Sequence, residues 1–115
     1  MNKFENLIVW KKSVQAIKHA YLICSKLPTL EERNLKDQLR RAVTSISLNI
    51  AEGSASQNDI EFKRYLSIAQ KSAHETFAIL KIIEELYKVS VSEFENEITE
   101  IMKMLAGLMR SLKTK

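Results

Sequence analysis

An antiparallel, up-down-up-down four-helix bundle of the all-α class, spanning 1–115 as one domain, is expected from three features of the sequence. Two Gly and one Pro in 115 residues leave few turn signals. Four stretches repeat apolar side chains in steps of three and four, the spacing that keeps one helix face turned to a partner. The breaks between them, around Pro28, from Gly53 to Asn58 and from Val89 to Ser92, are short. Short connections make each helix antiparallel to the next.

The first helix is expected over 7–26, on the stripe Leu7, Trp10, Val14, Ile17, Tyr21 and Cys24, with Asn6 as N-cap. The second, 30–53, follows Leu35, Leu39, Ala42, Ile46 and Asn49. Thr29 and Glu32 have capping-box spacing before it, and Gly53 supplies the left-handed residue that commonly ends a helix. The third, 58–88, is longest, on Phe62, Leu66, Ala69, Ala73, Thr76, Leu80, Ile83 and Tyr87, and opens on Asn58 with Glu61. The fourth, 91–113, carries Val91, Phe94, Ile98, Ile101, Leu105, Leu108 and Leu112 behind Ser90 and Glu93.

These stripes are wide. Tyr65, Ile79 and Leu86 flank the third seam at heptad spacing, with Ile82 further round; Met102 and Met109 flank the fourth, and Val43 and Ile50 the second. A lone bundle needs an apolar sector of roughly 100° per helix. Surplus apolar surface on the third and fourth helices therefore predicts self-association into a homo-oligomer.

The second helix turns polar before it ends. Ser45 and Asn49 are four apart and Glu52 is three beyond, so one face carries all three. The heptad continued from Ile46 puts Asn49 in the seam, where an unpaired amide costs roughly 1–3 kcal/mol. Its expected partner is a carbonyl, a hydroxyl such as that of Tyr65, or a neighbouring subunit. Small Ser45 and Ser47 let another helix approach. Ser45, Asn49, Glu52 and Gly53 thus form a candidate device for register or oligomer specificity.

Net charge is +4, divided as +5 over residues 1–50 and −1 over 51–115. Arg33, Lys36 and Arg40 recur along the outer face of the second helix. Lys11 and Lys18, with Lys12 beside them, mark the first, and Lys63 and Arg64 open the third; Arg41 stands four residues after Asp37 and can pair with it. Together they are candidate contacts to RNA or DNA phosphates, because affinity there comes from releasing counterions. No base-reading motif or aromatic platform accompanies them.

Catalytic chemistry finds little footing. A di-iron bundle needs Glu-x-x-His pairs, but Ala16 lies three before His19 and Lys71 three before His74. His19, His74 and Cys24 lack metal-ligand spacing, and Cys24 falls on the core stripe. Two glycines cannot build a phosphate-cradling loop. The expectation is a non-enzyme with no catalytic residue, metal or cofactor. One cysteine excludes an internal disulfide, "MNKFENLIVWKK" lacks a signal-peptide core, and no apolar run approaches the ~18 residues of a membrane span. A cytoplasmic protein with no membrane partner follows.

"QLRRAVTSISLNIAEG", followed by "EFKRYLSIAQKSAHE" and preceded by "FENLIVWKKS", resembles the bacterial 23S rRNA intervening-sequence proteins over nearly the whole chain. The run from Asn49 to Gly53 is the most specific part; Arg40, Arg41, Phe4, Leu7 and Trp10 add to it. The resemblance implies an antiparallel bundle assembling into a ring-like homopentamer, and an association with nucleic acid. The accessory protein of diversity-generating retroelements is similar, which implies as the alternative role an adaptor for a reverse transcriptase or another protein. Membership implies no established activity. Ser47 stands where that family usually has proline, and Ser54-Ala55-Ser56 replaces its aromatic-Gly-Arg turn, removing a basic residue from the loop.

Overall fold

The computed structural model describes residues 3–112. After a 3₁₀ turn at Lys3–Asn6 come four α-helices: α1 (Ile8–Cys24), α2 (Leu35–Ser54), α3 (Asp59–Tyr87) and α4 (Ser92–Ser111). Position 113 of the expected fourth helix lies outside the described residues. Cross-helix contacts fix the directions. Ser13 meets Ser47 while Cys24 meets Lys36, so α1 and α2 are antiparallel. Ser45 meets Ser72 and Gly53 abuts Phe62; Gln70 meets Met102 while Lys81 meets Glu95. Lys12 reaches Glu100 and His19 reaches Glu97, which closes α1 on α4. Each helix packs on two neighbours in the cycle α1–α2–α3–α4, and the backbones of the diagonal pairs do not approach each other. The bundle measures 46 × 23 × 20 Å. None of its described helices is long and apolar enough to cross a membrane.

The stripes of α3 and α4 lie where periodicity puts them: Leu66, Ala69, Ala73, Thr76, Leu80 and Ile83 face Phe94, Ile98, Ile101 and Leu105 across one core. On α1 the buried line is rotated by about one residue, onto Val9, Ser13, Ala16, Ala20 and Ile23. Trp10 and Ile17 sit at its edge and Tyr21 is 55% exposed. The cause is size. Ser13, Ala16 and Ala20 let the α1 backbone come close to α2, and the larger side chains are displaced to the rim. There Phe4 meets Trp10 edge-on, ring centroids 4.8 Å apart, which folds the N-terminal turn back onto α1.

Several expected end signals are replaced. Asn6 belongs to the 3₁₀ turn, and Leu7 precedes α1 with no side-chain cap. Thr29 opens a 3₁₀ turn, Thr29–Glu31, and α2 starts only at Leu35. Its first turn is served by Glu31, whose Oε1 accepts from the Leu35 N–H at 3.4 Å and from Asn34 Nδ2 at 3.2 Å. Val91, not Ser90, precedes α4, again without a side-chain bond. Asn58 caps α3 as expected, its Oδ1 accepting from the Glu61 N–H at 2.9 Å. Gly53 is not left-handed; α2 runs through it to Ser54, and among the described residues the one with positive φ is Lys88, at 56°, closing α3.

The apolar surplus falls where expected at Ile82 and Leu86 of α3 and elsewhere for the rest. Val43, Ile50 and Ile79 are core residues, and Met102 and Met109 pack partly against them. The exposed large apolar side chains include Ile8, Tyr21 and Leu22 on α1, Leu48 on α2, and Ile60, Ile68, Ile82 and Leu86 on α3. None is on α4, whose wide stripe fills a wide core.

Candidate functional site

The outer side of α2 carries an open groove of about 450 Å³ lined by Tyr21, Asp37, Arg40, Arg41, Thr44, Ser45, Leu48 and Asn49. Its polar floor comes from the turn that the heptad places in the seam. The seam in fact passes through Ser47 and Ile50, both buried, and leaves Asn49 half-buried at the edge. Asn49 Nδ2 donates to the Ser45 carbonyl at 2.8 Å and to Ser45 Oγ at 3.0 Å. Ser72 of α3 donates to the same Oγ at 2.8 Å. The amide Nδ2 therefore finds its partners, a carbonyl and a hydroxyl, within its own helix.

The four residues expected to set register are not gathered at one place. Ser45 and Asn49 form the chain to Ser72. Glu52 is exposed and borders a separate depression beside Phe4 and Ser56. Gly53 points inward, where an added Cβ would lie 2.8 Å from Tyr65 Cβ and 2.9 Å from Phe62 Cδ1. Its role is to let α2 and α3 touch.

The cations divide into two sets. Arg40 Nη2 donates to Glu32 Oε2 at 2.8 Å with its guanidinium 5.9 Å from the Tyr21 ring centroid, and Lys36 Nζ lies 3.4 Å from Glu32 Oε1. These bonds, Arg40 first, hold the Glu32 carboxyl below its usual range, and Glu32 in turn pushes Arg40 upward. Arg41 pairs with Asp37 at 3.3 Å as its spacing predicts, Lys12 with Glu100 at 3.0 Å and Arg64 with Glu61 at 3.8 Å. No ion pair joins Lys11, Lys18, Arg33 or Lys63 to a carboxylate among the described residues. The structure does not gather these four. Lys11 and Lys18 lie on the outside of α1, Lys63 opens α3, and Arg33 follows the Thr29–Glu31 turn at the opposite end of the bundle.

Other reactive side chains are held apart. His19 Nδ1 lies 3.1 Å from Glu97 Oε2 and its ring stacks on Phe94, centroids 4.6 Å apart. His74 is exposed on α3. Cys24 is buried, its thiol pushed up by desolvation, and its Sγ faces the Lys36 carbonyl at 3.7 Å. Among the described residues no group of three His, Cys, Asp or Glu is placed to hold a metal ion.

Periodicity misses one pair. Glu31 is buried, and its Oε2 accepts a short hydrogen bond from the Tyr87 hydroxyl, so the turn before α2 is tied to the end of α3. The available signal is a carboxylate four residues ahead of the first apolar residue of a helix.

The family model "23S rRNA-intervening sequence protein" matches residues 5–107. Among solved structures, a protein of unknown function from the S23 ribosomal protein family of Bacteroides thetaiotaomicron shares 27% identity and superimposes with a TM-score of 0.81, covering 90% of this chain and 100% of its own. No curated protein matches the chain.

Proposed function

Because this chain belongs to the 23S rRNA-intervening sequence protein family, we propose that it is a non-enzymatic helical scaffold that assembles with copies of itself and holds RNA or DNA by its phosphates. One observation carries the reading. After the core is filled, Ile8, Leu22, Leu48 and Leu86 each remain more than 60% exposed, spread over three helices. Self-association would remove this apolar surface from water. The pentameric number rests on family resemblance alone; a cytoplasmic setting rests on the sequence features given above, with which the single buried thiol agrees.

Nucleic-acid contact falls to the uncommitted cations, Lys11, Lys18, Arg33 and Lys63. Four charges spread over a 46 Å bundle make a weak binder as a single copy. An assembly places several copies of Arg33 and Lys63 on one particle and strengthens the field. Titration of labelled single-stranded RNA and duplex DNA at low and moderate salt tests this: binding that weakens with salt supports it, and no binding at low salt removes it.

A second reading, an adaptor for a protein such as a reverse transcriptase, is favoured by the pairing of Lys12, Lys36, Arg40, Arg41 and Arg64 with the chain's own carboxylates. Charges so engaged suit a protein-facing surface. Affinity capture with a reverse transcriptase encoded beside the gene separates the two.

A further inference from the structure

We propose that the outer face of α1 in one copy docks on the outer face of α3 in the next. This rests on the self-association reading above and names the two surfaces that join. On α1 the exposed positions Ile8, Lys11, Gln15, Lys18 and Leu22 fall in steps of three and four along one line, opposite the buried Ser13 and Ala20. Ile8 and Leu22 are each 63% exposed. On α3, Ile68, Glu75 and Ile82 make a second exposed line, with the isoleucines 42% and 47% exposed.

The two lines match in three respects. Each carries its apolar pair fourteen residues apart, a separation of about 21 Å on an α-helix. Their central charges are opposite. Lys11 and Lys18 lie between the apolar ends on α1, a helix with no acidic residue, and Glu75 is midway between Ile68 and Ile82. None of these three charges is ion-paired among the described residues. Lys71 is the like charge within the α3 line.

Third, α1 and α3 are diagonal in the bundle, with no backbone approach between them. Their outer faces point away from each other, so a two-fold pair cannot use both faces in one contact. The contact is heterologous, and it propagates from copy to copy, closing into a ring or running on as a filament according to the rotation it imposes. Every copy supplies both halves in equal number, which is why a second copy of this chain is the occupant.

The test uses two surface variants, Leu22→Asp and Ile82→Asp, with circular dichroism confirming the helical fold of each. Wild type is expected to sediment above the 13.2 kDa of one protomer. Each variant alone is expected at one protomer mass. An equimolar mixture is expected to form a heterodimer and nothing larger, because the intact α1 face of Ile82→Asp meets the intact α3 face of Leu22→Asp while the other two faces are dead. A wild-type oligomer unaffected by either variant overturns this interface and leaves self-association standing. Two monomeric variants that fail to pair overturn the α1-to-α3 match. A monomeric wild type overturns self-association itself. Should either variant unfold, Lys18→Glu and Glu75→Lys, both at exposed positions, replace them: each alone is expected at one protomer mass and their mixture above a dimer, because the two reversed charges are again opposite, and a mixture that stays monomeric overturns the match.

Discussion

Gly53 and Tyr65 stand so close across α2 and α3 that a single methyl group at position 53 would lie 2.8 Å from Tyr65 Cβ. Tyr65 Cβ is fixed to the α3 backbone and cannot swing aside, so the helices would have to separate. Gly53→Ala gains helix propensity, up to about 1 kcal/mol. It loses about 1–3 kcal/mol to overpacking. A net loss of up to about 2 kcal/mol is expected, with the melting temperature falling by roughly 4–8 °C for each kcal/mol. Calorimetry decides, because a glycine serving only to end a helix in a right-handed conformation would be improved by alanine.

The α1–α2 crossing makes a similar demand. Ser13 Oγ donates to the Trp10 carbonyl at 2.6 Å and meets Ser47 Oγ at 2.6 Å, deep in the interior. Ser47→Ala removes one hydroxyl and leaves Ser13 still bonded, so a cost of about 0.5–1.5 kcal/mol is expected. Ser13→Leu puts a large side chain where the backbones are closest and costs more, about 1–3 kcal/mol or beyond. Chemical denaturation of the two variants reports the order, and a Ser13→Leu protein no less stable than Ser47→Ala would contradict a close crossing.

Tyr87 and Glu31 make the stability of the α1–α2 turn depend on pH at both ends. The Tyr87 hydrogen bond first, and the Leu35 and Asn34 bonds after it, hold the Glu31 carboxyl below its ordinary 4.5 despite its burial. The same bond raises the Tyr87 hydroxyl above 10.0. A carboxyl depressed in the folded state contributes stability above the unfolded value, and that share is lost as pH falls through the folded one. For the raised phenol the share is present below the unfolded value and lost as pH climbs through the folded one. Tyr87→Phe is therefore expected to lower the melting temperature most between about pH 5 and pH 9 and least at the extremes. An equal loss at every pH would show that only ring packing matters.

Free and committed cations should behave differently toward RNA. Arg33→Gln with Lys63→Gln removes charge that has no ion-paired partner among the described residues, and each lost phosphate contact is expected to reduce the salt slope of binding by about 0.7–0.9. Arg40→Gln instead releases Glu32 and unstacks Tyr21, so its effect falls on stability. Equal affinity losses from all three would mean that the Glu32 ion pair opens on binding.

Asn49→Leu is expected to leave oligomer mass unchanged and to move stability by less than about 1 kcal/mol, since the amide bonds only to Ser45 in its own helix. Light scattering checks the mass. A change in subunit number would return Asn49 to an interface.

Periodicity makes the four helices legible because Leu, Ile and Phe at steps of three and four can be buried only one way; α3 and α4 follow it residue by residue. It misplaces α1 by one position because Ser13, Ala16 and Ala20 score as weakly apolar, yet their lack of bulk draws the helix inward. The same blindness to size makes Gly53 look like a terminator and Asn49 a seam residue. Glu31 and Tyr87 escape a one-dimensional reading because their bond spans fifty-six positions. The basic residues are visible in sequence, but which of them already hold a carboxylate depends on neighbours across the fold, as Lys12 and Glu100 show.

Sedimentation equilibrium of the unmodified chain, at low and at high salt, bears most directly on whether copies cover one another's exposed Ile8, Leu22, Ile68 and Ile82. A mass several times 13.2 kDa that persists at high salt is expected, because apolar burial is not screened. A 13.2 kDa particle under both conditions would contradict it.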